Sequence, residues 1–150
     1  DAMVRWHFRW QYTFRQSASE CRMERVTVAL DLTLTEPALN SPVAEVQKSF
    51  DAYATQLRVH EDGHIDIARA VARRIDASLQ PLAAPTCEAL KTLANETALR
   101  ITAAGDEEQV AYDRRTDHGA TQGARWPLRP QAPDRSQYQT SPLAPQTQGD

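Results

Sequence analysis

The stretch Val4-Arg5-Trp6-His7-Phe8-Arg9-Trp10-Gln11-Tyr12-Thr13-Phe14 alternates apolar and polar side chains without a break. Successive side chains of an extended chain point to opposite faces, so the apolar members share one face and the segment reads as a half-buried strand. A second alternation follows, with Val26, Val28, Leu30, Leu32 and Leu34 on one face and Arg25, Thr27, Asp31, Thr33 and Thr35 on the other. The connection from Arg15 to Glu24 is short and polar, which predicts an antiparallel hairpin. Two strands alone are not stable in water, so their apolar face needs a cover.

The cover follows in sequence. Ser41 is placed to cap a helix whose first position is Pro42, where the missing N–H costs nothing. Val43, Val46, Phe50, Tyr53 and Leu57 then recur in steps of three and four, and His60, His64, Ile67, Val71, Ile75 and Leu79 continue the same helical stripe. Pro81 and Pro85 end it. Thr86 is placed to cap a second helix carrying Leu90, Leu93, Thr97, Ile101 and Ala104 on one face, interrupted at Gly105, with a shorter helix restarting at Asp106 towards Arg115. The expected fold class is α+β, a small antiparallel sheet packed on two long helices, over residues 1–126. Residues 127–150 alternate Pro with Gln, Ser and Thr and read as a disordered tail.

A chain of 150 residues suits one domain. A net charge of −3 without a basic cluster argues against binding nucleic acid or an anionic membrane by charge, and no apolar run is long enough to insert in a membrane. A peptide or other small partner is expected, with the oligomeric state open. Two cysteines, Cys21 and Cys87, stand too far apart for a zinc knuckle or a thioredoxin-type site.

His60-Glu61-Asp62-Gly63-His64 is the segment that names a reaction. Side chains four apart on a helix share a face, so the two imidazoles can bind one zinc ion at about 2.0–2.1 Å each. Glu61 stands beside them, placed to take a proton from a water that zinc acidifies to a pKa of about 7. The bland alternative is a pair of core or surface histidines. Burying two imidazoles and a carboxylate in an apolar stripe is costly without partners, and a metal supplies one.

Catalytic zinc normally takes three protein ligands. Metzincins place a third histidine six residues after the motif, and Ile65 to Ala72 holds none, which excludes that class. His118 is the remaining histidine outside the first strand, within Tyr112-Asp113-Arg114-Arg115-Thr116-Asp117-His118-Gly119. HExGH on a long helix with a later YDxxTxHG segment, then Gln122, Gly123 and Trp126, resembles a bacterial family of predicted secreted zinc-dependent proteases, a domain family of unknown function. The likeness runs from the aromatic first strand to about Trp126.

The resemblance implies a secreted or periplasmic zinc peptidase acting on a peptide or protein, with the HExGH and THG segments forming its site. His118 is then the favoured third ligand. Glu107 and Asp113 are the carboxylate alternatives, Asp113 also as a group orienting a ligand histidine, and Tyr112 is a candidate oxyanion donor. Level helices returning at about 1.5 Å per residue carry His118 roughly 20 Å past the motif, so a break at Gly105 is expected to bring it back. Cys21 and Cys87 are expected to pair, as an exported chain permits, the alternative being two buried thiols. Two rival readings stand beside the peptidase: a non-catalytic zinc module that binds a peptide or cell-envelope partner, and a closed structural zinc site with Glu107 as a fourth ligand.

Overall fold

A computed structural model describes residues 2–127, so the expected tail lies outside the described residues apart from Pro127. The order is β1 (Met3–Gln16), β2 (Cys21–Thr35), α1 (Ala44–Leu79), β3 (Ala83–Ala84), α2 (Cys87–Thr116) and a 3-10 helix (Ala120–Gln122). The fold is α+β, as the two alternating segments and the helical stripe imply.

The hairpin pairs the two apolar rows on one face: Val4 opposite Leu34, Trp6 opposite Leu32, Phe8 opposite Leu30, Trp10 opposite Val28, Tyr12 opposite Val26. The strands run further towards the turn than the alternation suggested, because Ser17 and Glu20 close it: the Ser17 N–H donates to Glu20 O at 2.8 Å. Between Thr13 and Phe14 the register shifts by one residue. Cys21 is therefore inside β2, and the two-residue strand β3 pairs beside it, completing a three-stranded antiparallel sheet in the order β1-β2-β3.

The core lies between the sheet and the helices. Phe8, Met23 and Val26 meet Val71, Ile75 and Leu79 of α1 and Leu90, Ala94 and Ala98 of α2. Trp6 and Trp10 are half-buried, and their indole N–H groups donate to Asp106 Oδ1 at 3.3 Å and Asn95 Oδ1 at 3.0 Å, so the aromatic face of β1 is tied to α2. Buried indoles need such a partner.

Of three local expectations, two are corrected and one holds. Helix α1 begins at Ala44, not at Pro42; its N-cap is Val43, and the Ser41 hydroxyl accepts from the Val43 N–H instead of capping a helical turn. Thr86 does cap α2, accepting from the Ala89 N–H at 3.1 Å. Gly105 does not break α2, which runs unbroken to Thr116. Its lack of a side chain serves contact instead: a Cβ there would stand 2.5 Å from Val71 Cγ2.

The anticipated overshoot is removed by stagger. Val71 faces Gly105, His64 meets Gln109, and His60 meets Tyr112 and Thr116, so the helices run antiparallel with α2 starting beyond the end of α1. Extrapolating that register, Cys87 stands about eight residues past Leu79, on the order of 12 Å at the helical rise. Strand β3 spans the gap, and the Cys21–Cys87 disulfide pins the start of α2 to the sheet.

Candidate metal centre

His60 and His64 lie in the middle of α1, 3% and 8% exposed, with their Nε2 atoms 3.3 Å apart. Asp113, three turns into the far half of α2, points Oδ1 between them, 3.2 Å from His60 Nε2 and 3.0 Å from His64 Nε2. The three atoms form a nearly equilateral triangle.

The proton positions follow from groups whose roles are fixed. The Gln109 side-chain N–H donates to the His64 carbonyl oxygen at 3.0 Å, and a carbonyl only accepts. Gln109 Oε1 must then be the atom 2.6 Å from His64 Nδ1, so Nδ1 carries the proton. On the other side, the Tyr112 hydroxyl donates to the His60 carbonyl at 3.1 Å and accepts from Gln122 Nε2 at 3.1 Å. That leaves Gln122 Oε1 to accept from His60 Nδ1 at 3.0 Å. When neutral, both imidazoles are thus held as the tautomer whose Nε2 bears a lone pair.

In that state two lone pairs and a carboxylate oxygen converge with no donor among them, an arrangement that a cation relieves. A single proton can bridge only two of the three. A tetrahedral zinc with ligands at about 2.0–2.1 Å separates them by about 3.3 Å, and the observed edges are 3.0, 3.2 and 3.3 Å. The donor set and its spacing fit one zinc ion, with the outer amides in the place where metal-binding histidines usually find their orienting acceptors.

The surrounding backbone is built for this approach. At Gly63 a Cβ would collide with the Tyr112 hydroxyl, so the glycine inside the motif lets Tyr112 lie over α1 and stack on the His60 ring, 5.1 Å between centroids and 9° between planes. After Thr116 the chain turns sharply: Asp117, His118 and Gly119 have φ of 49°, 50° and 84°. Gly119 suits that conformation, and a Cβ there would come within 3.0 Å of the His60 ring. The turn delivers the 3-10 helix that carries Gln122 back to His60, and Trp126 packs against Phe50 and Tyr53 of α1 beyond it.

The other residues singled out in the sequence fall in different places. Glu61 is 4% exposed and lines a cleft of about 480 Å³ with His60, His64, Asp113 and His118. Burial raises its carboxyl above the ordinary range, opposed by the two histidines beside it. His118 borders the same cleft with its side chain 78% exposed and Nδ1 3.7 Å from Asp113 Oδ1, outside the triangle. The Tyr112 hydroxyl is engaged with His60 and Gln122, which makes it a brace for the motif and leaves no free proton for an oxyanion. Glu107 is exposed on another face of α2, beside Val110, Ala111 and Arg114, and is not brought to the site.

Sequence reading did not single out Gln109. Its signal was present in retrospect, as a polar residue four positions before Asp113 on a face otherwise made of small or apolar side chains. Thr116 was quoted without a role; its hydroxyl donates to the Tyr112 carbonyl at 2.9 Å and stands 3.4 Å from His60 Nδ1.

Residues 1–119 match the family described as "Bacterial protein of unknown function (DUF922)". No curated protein and no solved structure matches the chain. The matched range contains His60, Glu61, His64, Asp113 and His118 and ends before Gln122.

Proposed function

We propose that this chain, which belongs to the bacterial DUF922 family, is a zinc-dependent peptidase. The observation that carries the reading is the triangle of His60 Nε2, His64 Nε2 and Asp113 Oδ1, with Glu61 free at the edge of the cleft beside it. One zinc ion held by those three atoms would leave a fourth position open and supply a polarised water reactive near pH ~7.

The protein's own groups do the rest. Glu61 would take a proton from the attacking water and pass it to the nitrogen of the leaving amine. It has no hydrogen bond to another side chain among the described residues, so nothing competes for its proton. Gln109 and Gln122 keep both imidazoles in the ligating tautomer throughout. Asp113 would anchor the metal to α2, which would make the site depend on correct packing of the two helices.

The disulfide supports a location in an oxidising compartment, the periplasm or outside the cell. Among the described residues no helix is long and apolar enough to cross a membrane. The test is a pair of measurements on Glu61→Gln: it should retain one zinc per chain and lose hydrolysis of peptides that the zinc-loaded wild type cleaves. Undiminished cleavage by Glu61→Gln would remove the mechanism.

A further inference from the structure

The cleft beside the metal triangle is walled unevenly. Its polar side is Glu61, Asp113 and the histidines; the facing side is Met3, Val4 and Trp6 of β1 with Leu57 of α1. Val4 and Leu57 are each 7% exposed, and Trp6 is held in place by its bond to Asp106, so this wall is fixed as well as apolar.

The same wall is the start of an edge strand. Strand β1 pairs with β2 alone, and among the described residues its other edge makes no backbone hydrogen bond. In an antiparallel ladder alternate residues turn their N–H and C=O outward, so β1 presents unpaired donors and acceptors at strand spacing beginning at the cleft. An extended chain can add to such an edge through main-chain bonds, while pockets for alternate side chains set the preference.

We propose that the cleft takes an extended peptide lying along the free edge of β1, with a bulky apolar side chain next to the scissile bond seated against Val4, Trp6 and Leu57. This rests on the reading that the site acts on peptides, and it narrows that class to substrates with Leu, Phe or a similar residue at one position.

Binding to the zinc-loaded Glu61→Gln protein separates the two claims, because it needs no turnover. Short capped peptides identical except for one central residue, Leu, Phe, Gly or Asp, are titrated by calorimetry. The Leu and Phe peptides should bind roughly tenfold to a hundredfold more tightly than the Gly peptide. Trp6→Ala should remove most of that preference and Trp6→Phe should restore it. N-methylation of alternate backbone nitrogens of the Leu peptide, which requires no change in the protein, should weaken binding. Equal affinity for Leu and Gly peptides, or indifference to N-methylation at every position, overturns the proposal. If the wild type leaves the Leu peptide intact yet the preference and its Trp6 dependence hold, the cleft assignment is supported and only the peptidase reading fails.

Discussion

Gln109 donates its side-chain N–H to the backbone carbonyl of His64 at 3.0 Å and accepts from Nδ1 of the same residue at 2.6 Å. One amide on α2 thereby grips one histidine on α1 at two points, which fixes the ring's rotation and its tautomer together. The ring orientation of His64 is set from the other helix. Gln109→Leu removes both bonds at nearly constant volume, and zinc affinity should fall by about 10–100-fold. Competition against a chelator of known affinity measures it; an unchanged affinity would show that the tautomer needs no such lock.

Asp113→Ala should reduce zinc affinity by orders of magnitude, whereas His118→Ala should change it by only a few-fold, since His118 stands outside the triangle with an exposed ring. The same chelator titration decides. The opposite ranking would make His118 the third ligand and require its loop to swing inward.

The hairpin and both helices were legible in the sequence because their patterns are local. Val4 to Phe14 and Val26 to Leu34 alternate on a period of two, and the stripe from Phe50 to Leu79 recurs on a helical period. The first candidate ligands were legible for the same reason, since His60 and His64 are one turn apart. Asp113 was no more than an option among three because its place depends on how far α2 is displaced along α1. That displacement goes with β3, within the seven residues that connect the helices, and with the Cys21–Cys87 disulfide, features that no periodicity reveals. Gly105 misled for a related reason. A glycine in a helical pattern signals either a break or a close contact, and only the partner helix, here Val71, distinguishes them.

Gly63→Ala should destabilise the fold by about 1–3 kcal/mol, the range for overpacking a filled site, because a Cβ there overlaps the Tyr112 ring and hydroxyl. Thermal unfolding of the metal-free protein checks this. Replacing Tyr112 by Leu in the same chain should recover part of the loss, and full additivity of the two changes would mean that they do not meet.

The Glu61 carboxyl gives a dependence on pH. Burial raises its folded pKa, so in metal-free protein the folded state holds the proton more tightly than the unfolded chain. Stability must then decline as pH rises from about 4.3, the unfolded value, through the folded one. Glu61→Gln is neutral throughout and escapes that decline. Denaturant unfolding should show the metal-free variant more stable than wild type at neutral pH, the gap closing as pH falls below about 4. A gap that widens in acid would reverse the assignment.

The disulfide closes a loop of 66 residues between Cys21 and Cys87. Chain entropy alone puts its contribution at about 4 kcal/mol, and it also sets the level at which α2 meets α1. The double variant Cys21→Ala/Cys87→Ala should therefore lose stability by about that amount and also bind zinc more weakly at temperatures where it remains folded. Unaltered zinc affinity in the folded variant would show that helix packing alone holds the stagger.

Crystallographic anomalous scattering from zinc-loaded protein, recorded on both sides of the zinc absorption edge, tests the metal centre most directly. The account requires one peak per chain, about 2.0–2.1 Å from His60 Nε2, His64 Nε2 and Asp113 Oδ1, with its fourth position turned to the cleft beside Glu61. A peak closed by four protein ligands, a peak that excludes Asp113, or no peak between α1 and α2 would contradict it.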